Sequence, residues 1–280
     1  MVKIYPNAKL NLMLRIVDRL PTGYHLLEMI NVPINLYDEI TIKPDREFSQ
    51  TFYPPIDCKP EKTTIFKAYE LLKKWVGEIN LSVTIKKGIP TGAGMGGGSS
   101  DAGFFIKYIL EQKKIKLDRK TLDEIANKVG ADVPFFLYNK PALIKGIGEK
   151  VIPFKKFPNL HFLILVPDFT ISTAWAYSNV KLPLTKNKHN SILNISEINE
   201  VQLTNLMEND LEKVVETEFP VIREIKSFLI DMGAKKAMMT GSGSAVFGIF
   251  KDKSFVNKAS LEAKKVFKSY KIFTCETLGA

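Results

Sequence analysis

A glycine-rich segment near residue 95 constrains this chain more than any other feature. Five glycines lie within seven positions, followed by two serines and an aspartate, in the order Pro90, Thr91, Gly92, Ala93, Gly94, Met95, Gly96, Gly97, Gly98, Ser99, Ser100, Asp101. A strand-like run precedes the segment, and an apolar stripe at helical spacing follows it at 102–110. Glycine allows close approach of a ligand to the backbone, and helix N-termini attract anions. The segment therefore predicts a phosphate-binding loop, with Ser99, Ser100 or Asp101 capping the helix.

Three other interpretations of this loop are weaker. A Walker A loop ends in Gly-Lys-Ser or Gly-Lys-Thr, and no lysine follows these glycines. The dinucleotide-binding fingerprint matches Gly92, Gly94 and Gly97, but that motif belongs to a βαβ unit. Here a second helix follows, with a capping box predicted at 121–124 and a stop at Gly130. A turn without a ligand accounts for one or two glycines rather than five.

Composition and length exclude several classes of protein. The 280 residues, of which 45% are hydrophobic and 25% charged, suffice for one large or two moderate globular domains. No apolar run approaches the roughly 20 residues of a membrane helix, and the first residues read as a strand rather than a signal peptide. Cys58 and Cys275 form no metal-binding or redox motif, so we expect a cytoplasmic protein with two thiols.

The chain is basic, with a formal net charge of +10. Its lysines are spread along the sequence and lack the interleaved aromatic residues of RNA-binding segments. A solvated, lysine-rich surface explains this charge most simply, and the excess also suits a polyanionic small molecule such as a nucleotide. We therefore expect binding to neither nucleic acids nor membranes.

Helical and strand-like patterns alternate loosely along the chain, which predicts an α+β architecture with largely antiparallel sheets. Strands are predicted at about 3–5, 10–17, 26–37, 39–43, 81–86, 162–166, 235–239, 245–250 and 271–276. Helices are predicted at about 64–76, after the glycine-rich loop, at about 121–129, 221–232 and 254–267. A polar stretch near 145–160 contains two prolines, and we place the domain boundary between residues 152 and 153.

A few polar residues are candidates for chemistry. Asp132 follows a predicted helix end among apolar residues, where an acid is paired, used in catalysis or caps the turn. Lys9 and Asn11 share one face of a strand, so they either line a cleft or are solvated. Tyr24 and His25 lie in a turn, where a phenol ring can stack on a base and an imidazole can bond its edge. A lone histidine is, however, more often structural.

A second small-residue loop, Thr240–Ser244, joins two predicted strands. It is either a simple hairpin turn or a segment that packs against the glycine-rich loop, where only small residues fit. The sequence leaves both interpretations open.

Together these segments resemble the GHMP kinases, the superfamily of galactokinase, homoserine kinase and mevalonate kinase. The loop at 90–100 resembles the phosphate loop of that family, and Thr240–Ser244 resembles its C-terminal motif. The segments 8–12, 23–25, 96–101 and 130–134 are most similar to the family members of the non-mevalonate isoprenoid pathway. The resemblance covers nearly the whole chain, in the same order.

The resemblance implies a two-domain α+β GHMP kinase fold. Residues 1–152 would form an ATP-binding domain like domain 2 of ribosomal protein S5, and residues 153–280 a ferredoxin-like substrate domain. The implied reaction is ATP-dependent phosphorylation of the 2-hydroxyl of 4-diphosphocytidyl-2-C-methyl-D-erythritol, giving the 2-phosphate and ADP. It implies ATP and Mg²⁺ at the site, and we expect a monomer or weak homodimer.

The resemblance also implies roles for individual residues. Asp132 is the catalytic base and Lys9 its charge partner, in a direct in-line transfer. Pro90–Ser100 bind the ATP phosphates, and Lys87 lies where the family contacts adenine. The substrate-binding residues are Asn11, Tyr24, His25, Thr173 and Tyr177, with Tyr177 stacking on cytosine. The sequence departs from the family at Thr63-Thr64, where Asn-Leu is frequent near adenine, and at Met95, which replaces a leucine.

Two rival functions compete with this one. Another GHMP kinase, acting on mevalonate, homoserine or a sugar, would share the phosphate loop but not the base-binding Tyr24, His25 and Tyr177. A nucleic-acid-binding protein would use the basic surface and would leave the glycine-rich loop and Asp132 without a purpose.

Overall fold

The computed structural model describes residues 1–21, 23–180 and 196–279, and the chain forms two compact units. Unit 1 consists of Met1–Ala8, Leu36–Thr91 and Gly96–Asn139. Unit 2 consists of Lys9–Asn35, Gly92–Met95 and the described part of Lys140–Ala280. Both units are therefore discontinuous in sequence, and the glycine-rich loop contributes to both. The predicted boundary between residues 152 and 153 divides the chain into two domains that are each continuous in sequence, and it stays a prediction.

Strands and helices alternate, and the α+β class is confirmed. The strands are β1 (Val2–Ile4), β2 (Asn7–Arg19), β3 (His25–Tyr37), β4 (Glu39–Pro44), β5 (Ser49–Tyr53), β6 (Leu81–Lys86), β7 (Ala142–Gly146), β8 (Lys150–Pro153), β9 (His161–Val166), β10 (Lys236–Met239), β11 (Val246–Phe250) and β12 (Lys271–Glu276). The helices are α1 (Thr64–Val76), α2 (Gly97–Gln112), α3 (Arg119–Val129), α4 (Val133–Tyr138), α5 (Thr173–Ser178), α6 (Glu200–Leu206), α7 (Glu212–Glu218), α8 (Val221–Asp231) and α9 (Lys253–Val266).

Unit 1 contains a four-stranded sheet in the order β1-β4-β6-β5. Its pairs are antiparallel except β5 with β6, which run parallel. Val83 and Ile85 alternate with more exposed residues on β6, and their side chains join a core that includes Phe105 from α2. The alternation of buried and exposed side chains along β6 therefore gives the sheet an apolar face, on which the helices of this unit pack.

Helix α1 shows how local sequence sets an element in unit 1. The Thr63 hydroxyl accepts a hydrogen bond from the Phe66 amide (3.2 Å) and caps the first turn. The helix buries Ile65, Ala68 and Leu72 on one face and ends at Gly77. The predicted helix at 64–76 is confirmed to the residue.

Two predicted helix starts are wrong. The cap of α2 is Gly96, in a left-handed conformation with φ +72°, and no side chain caps this helix, so none of Ser99, Ser100 and Asp101 does. Helix α3 begins at Arg119, because Asp118 accepts from the Thr121 amide (3.0 Å) three residues before the predicted start. Aspartate is as good an N-cap as threonine, so the earlier cap adds nearly a turn to the helix.

Unit 2 contains two four-stranded sheets. One has the order β10-β11-β9-β12 and is antiparallel throughout; its central strands β9 and β11 are almost entirely buried. Helix α8 packs on β10 and β11, and α9 packs on β9 and β12. The other sheet has the order β2-β3-β7-β8, and most of its residues belong to unit 2. In the described part of the chain, no helix is both long and apolar enough to cross a membrane.

Candidate active site

The centre of the glycine-rich loop, Gly92–Met95, is bonded into unit 2. The Lys9 amide donates to the Met95 carbonyl (3.0 Å), and the Ala245 amide donates to the Ala93 carbonyl (3.3 Å). These bonds attach the loop to β2 on one side and to the residue before β11 on the other. The loop is therefore held by backbone groups from elements that are distant in sequence.

Gly94 packs directly against the second small-residue loop. Its φ is +79°, and a Cβ at this position would overlap the Thr240 carbonyl oxygen. A Cβ on Gly241 would lie 3.1 Å from the Gly94 carbonyl oxygen. Only glycine fits such contacts without a shift of the backbone. Of the two interpretations of Thr240–Ser244, packing against the glycine-rich loop is confirmed.

Lys9 and Asn11 are buried rather than solvated. They are 3% and 1% exposed, and the Lys9 ammonium donates to the Asn11 Oδ1. The backbone N–H of Asn11 donates to the Thr240 hydroxyl over 2.9 Å, which joins β2 to the second small-residue loop. The Thr240 hydroxyl, the Asn11 side chain and the Lys9 ammonium thus form one polar cluster within unit 2.

Asn209 holds the second small-residue loop from behind, and no sequence pattern singles it out. Its Nδ2 donates to the carbonyls of Met239 (2.9 Å) and Gly241 (2.8 Å), and its Oδ1 accepts from the Leu211 amide (3.0 Å). The Glu212 carboxylate accepts from the Met239 amide (2.7 Å). Both residues follow α6 and lie about 30 residues before the loop, so local periodicity cannot reveal the contact.

His25 and Tyr177 form a ring pair in unit 2. Their centroids are 5.2 Å apart, and the ring planes are inclined at 30°. Partial burial, and then the positive charge of Arg19, lower the pKa of His25 below its usual value. The imidazole is therefore neutral at physiological pH, which allows one nitrogen to donate and the other to accept.

The other two predicted substrate residues of unit 2 differ in exposure and contact. Tyr24 is 64% exposed in the turn between β2 and β3, where the Leu20 amide donates to the Tyr24 carbonyl (2.7 Å). The Thr173 hydroxyl, at the start of α5, lies 2.9 Å from the Ser242 hydroxyl. Thr173 thus contacts the second small-residue loop, on which the glycine-rich loop also packs.

In unit 1, the glycine-rich segment leads into the N-terminus of α2. The helix begins at Gly97, within the run of glycines, and no side chain accepts from its first-turn amides. The Thr64 hydroxyl donates instead to the Gly98 carbonyl (2.6 Å), and the buried Ser100 hydroxyl donates to the Asn7 carbonyl (2.7 Å). Uncapped amides and the helix dipole favour a phosphate at this end.

Lys87 is fixed between two carboxylates just below this helix end. Its ammonium donates to Asp38 and, over 2.8 Å, to Asp101 on the first turns of α2. Asp38 also accepts from the amides of Gly88 (2.7 Å) and Ile89 (2.8 Å). The cluster of Asp38, Lys87 and Asp101 therefore joins the end of β6 to the start of α2.

Burial shifts the pKa values of Asp101 and Lys87 towards the neutral form of each group. It raises the pKa of Asp101 to about 7, and the negative charge of Asp38 adds to the rise while Lys87 opposes it. For Lys87, burial lowers the pKa, but the two carboxylates outweigh it and the net shift is upward. The Asp101 Oδ1 has no hydrogen-bond partner among the residues that the structure describes. Asp101 is therefore an acid whose protonation changes near neutral pH.

A cavity of about 460 Å³ lies beside Lys87 in unit 1. It is lined by Glu39, Thr41, Tyr53, Pro54, Thr84, Lys86 and Lys87. The Lys87 amide donates to the Tyr53 carbonyl (2.7 Å), so the end of β6 and the end of β5 form one wall. An exposed tyrosine ring and a proline offer apolar surface for a flat ligand there.

Asp132 lies at the start of α4, a short helix that the sequence pattern does not predict. Its backbone has helical torsions (φ −87°, ψ −9°), and its carboxylate makes no capping hydrogen bond to α4. The Val133 amide bonds back to the Gly130 carbonyl (3.0 Å), which forms a tight turn in front of the helix. Asp132 therefore does not cap α4 with its side chain.

The predicted site residues fall into two groups. Unit 2 brings together Lys9, Asn11, Thr173, the centre of the glycine-rich loop and the loop Thr240–Ser244, and it pairs His25 with Tyr177. Unit 1 holds Lys87, the serines of α2 and Asp132. Among the described residues, no group of three or more histidines, cysteines or acids could hold a metal ion.

Comparison with known proteins identifies the family of the chain. Residues 63–140 match the family description "GHMP kinases N terminal domain", and residues 192–269 match "GHMP kinases C terminal". A 4-diphosphocytidyl-2-C-methyl-D-erythritol kinase from Citrifermentans bemidjiense is 37% identical over 265 residues, which cover 92% of each chain.

Solved structures show the same fold. A crystal structure of 4-(cytidine 5'-diphospho)-2C-methyl-D-erythritol kinase is 26% identical, with a TM-score of 0.82 over 99% of this chain and 100% of the other. The homoserine kinase from Cytophaga hutchinsonii is 17% identical, with a TM-score of 0.75 over 99% of this chain and 94% of the other, and shares the fold alone. The chain belongs to the GHMP kinase family and, within it, to the group of the 4-diphosphocytidyl-2-C-methyl-D-erythritol kinases.

Proposed function

We propose that the protein transfers the γ-phosphoryl group of ATP to the 2-hydroxyl of 4-diphosphocytidyl-2-C-methyl-D-erythritol, giving the 2-phosphate and ADP in the non-mevalonate pathway. The observation that carries the choice of substrate is the ring pair of His25 and Tyr177. The relatives' names support it. We place the protein in the cytoplasm, as a monomer or weak homodimer.

The ring pair suits a cytosine base better than an aliphatic alcohol. Tyr177 offers an aromatic face for stacking, and base–aromatic stacking contributes about 1–3 kcal/mol per base. A neutral His25 has one donor and one acceptor for the edge of the base. Mevalonate and homoserine have no ring that could stack on Tyr177. Asn11, Thr173 and the exposed Tyr24 complete the proposed contacts with the substrate.

The glycine-rich loop and the start of α2 are proposed to hold the ATP phosphates. The uncapped amides of the first turn supply donors at a positive helix end. Magnesium in such kinases is held mainly by phosphate oxygens and one or two protein groups. The ion would neutralise the phosphate charges when bound.

Asp132 is proposed as the base and Lys9 as its charge partner. The carboxylate accepts the proton of the substrate hydroxyl, whose oxygen then attacks the γ-phosphate in line. Lys9 stabilises the negative charge that develops. The two residues belong to different units, so their joint role rests on the resemblance and on the chemistry of each residue.

Lys87 is proposed to lie next to the adenine ring. Its ammonium is bound by Asp38 and Asp101, so its contribution would come from the aliphatic stem that borders the cavity in unit 1. The adenine would occupy that cavity, against Tyr53 and Pro54.

The substrate assignment is tested by measuring ADP release with 4-diphosphocytidyl-2-C-methyl-D-erythritol, mevalonate and homoserine. We expect turnover with the cytidine compound alone. Tyr177→Leu should raise the KM for this compound roughly tenfold, the scale of one lost stacking contact, and leave the KM for ATP unchanged. Tyr5→Leu, an exposed tyrosine of unit 1, is the matched control. Activity on another alcohol with no effect of Tyr177→Leu would remove the cytidine assignment.

A further inference from the structure

A buried asparagine on β3, Asn31, has no part in the function proposed above. It is fully buried (0% exposed), and its Oδ1 accepts from the Asn11 Nδ2 on the neighbouring strand β2 over 2.6 Å. Its own Nδ2 has no hydrogen-bond partner within the residues that the structure describes. Asn31 thus holds one paired acceptor and one unpaired donor in the interior of unit 2.

The charge of Lys9 fixes the orientation of two amides in succession. A lysine ammonium can only donate, so Asn11 must present its oxygen to Lys9. The Asn11 Nδ2 is then directed to Asn31, which must present its oxygen in turn. A reversed Asn31 amide would set two NH₂ groups against each other. The three side chains form a directed chain of hydrogen bonds, which we call the Lys9–Asn11–Asn31 relay.

Stability does not explain an asparagine at this position. Its chain neighbours Ile30 and Val32 are fully buried, and so is Ala142, which lies opposite it on β7. A buried donor without a partner is costly, and an apolar side chain of similar shape would remove that cost. Such a group in a native core calls for a reason outside folding.

We propose that Asn31 is a positioning residue for phosphoryl transfer. Its Oδ1 holds the Asn11 amide so that the Asn11 oxygen stays directed at Lys9. One of the three N–H bonds of the Lys9 ammonium is thereby directed at Asn11, which fixes the position of the ammonium group. The inference rests on the roles proposed for Lys9 and Asn11, and Asn31 acts through them.

Two substitutions separate positioning from packing. Asn31→Leu removes the acceptor and fills the same space, so kcat should fall roughly tenfold or more, the scale of a slightly misplaced catalytic group. Its KM for ATP and its urea unfolding midpoint should stay near those of the wild type. Asn31→Asp keeps an oxygen facing Asn11 and should retain kcat to within roughly threefold, since the relay needs only the acceptor.

The matched control is Asn35→Leu on the same strand. Asn35 bonds to Glu276 instead: its Oδ1 accepts from the Glu276 amide over 2.7 Å. This variant should lower the unfolding midpoint and leave kcat unchanged. Wild-type kcat in Asn31→Leu, or an equal loss in Asn31→Leu and Asn31→Asp, would overturn the proposal.

Unfolding in urea tests the relay without any assay of turnover. In the wild type, Asn31→Leu removes the oxygen that accepts from Asn11; in an Asn11→Ala background that bond is already absent. We therefore expect Asn31→Leu to raise the unfolding midpoint in the Asn11→Ala background and to leave it nearly unchanged in the wild type. Equal shifts in both backgrounds would overturn the relay. A wild type inactive on the cytidine compound would instead overturn the proposed function.

Discussion

The two units fix their parts of the candidate site by different physical means. In unit 1, the start of α2 is joined to the end of β6 by a buried ammonium between two carboxylates, Asp38 and Asp101. In unit 2, the loop Thr240–Ser244 is held mainly by neutral groups, namely the Asn209 amide and the Thr240 hydroxyl, and the Glu212 carboxylate bonds to the Met239 amide just before it. Charge pairs in a core are costly when broken and respond to pH, whereas neutral amides are weaker and do not titrate. The glycine-rich loop has residues in both units.

Removal of the central charge in unit 1 should have the largest effect on stability. Lys87→Met leaves Asp38 and Asp101 buried without their cation, which should lower the free energy of unfolding by about 3–5 kcal/mol at neutral pH. Urea unfolding of the variant measures the loss. Lys86→Met, on the exposed neighbouring residue, is the matched control and should change little. A loss below about 1 kcal/mol would show that the cluster contributes no more than a surface pair.

The pH dependence of stability should also reveal the cluster in unit 1. The pKa of Asp101 is about 7 in the folded protein, above its ordinary value of 3.8. Between these values the folded state binds more protons than the unfolded state, so this group makes stability fall as pH rises from 4 to 7. The fall is at most about 4 kcal/mol, since one pKa unit corresponds to about 1.4 kcal/mol.

Asp101→Asn should therefore remove this fall, so that the stability of the variant relative to the wild type increases from pH 4 to 7. Unfolding midpoints measured across that range for the variant and the wild type isolate the contribution of Asp101 from that of the other carboxylates. Parallel curves for the two proteins would contradict the raised pKa. Asn31→Leu in unit 2 serves as the contrast, because it changes no titrating group and should leave the slope as it is.

In unit 2, Asn209→Ala should have an intermediate effect. It leaves the buried carbonyls of Met239 and Gly241 without a donor, which should cost about 2 kcal/mol of unfolding free energy. Because the loop packs on Gly94 and bonds to Asn11, kcat/KM should also fall. Chemical unfolding and steady-state kinetics measure the two effects, with Asn205→Ala on an exposed face of α6 as control. Lost stability with unchanged kcat/KM would limit Asn209 to folding.

Thr240→Val should have the smallest effect. It keeps the shape of the side chain but removes the hydroxyl that accepts from the backbone N–H of Asn11. This loss should lower the free energy of unfolding by about 1 kcal/mol. The loss should be independent of pH, unlike that of the cluster in unit 1. Thr274→Val on an exposed position of β12 is the control for a threonine in a strand. A pH-dependent loss would show that the two units do not differ as described.

The sequence predicts those helices and strands whose signals lie within the element itself, and it fails for those that depend on contacts with distant residues. Helix α1 and strand β6 are confirmed, since apolar periodicity and caps lie within each element. Strands β5, β7 and β8 are missed because they are short. Strand β5 pairs with β6 and β7 pairs with β3, which are distant in sequence, and β8 is an edge strand that pairs with β7. The start of α3 is misplaced because two good caps lie three residues apart.

The candidate site divides in the same way. The glycine-rich loop and Lys9 stand out in the sequence because unusual residues crowd one segment or share one strand face. Asn31 and Asn209 do not, because an isolated asparagine becomes informative only when its partner is known. Lys87 stands out only through the family resemblance, and its pairing with Asp38 spans 49 residues.

The role of Asp132 is the central claim, and kcat of Asp132→Asn measures it most directly. With the cytidine substrate and ATP both saturating, we expect kcat to fall roughly a hundredfold or more, the scale of a lost general base, while folding is unchanged. Asp231→Asn, at the exposed end of α8, should keep full activity. Near-wild-type kcat in Asp132→Asn would contradict the proposed mechanism.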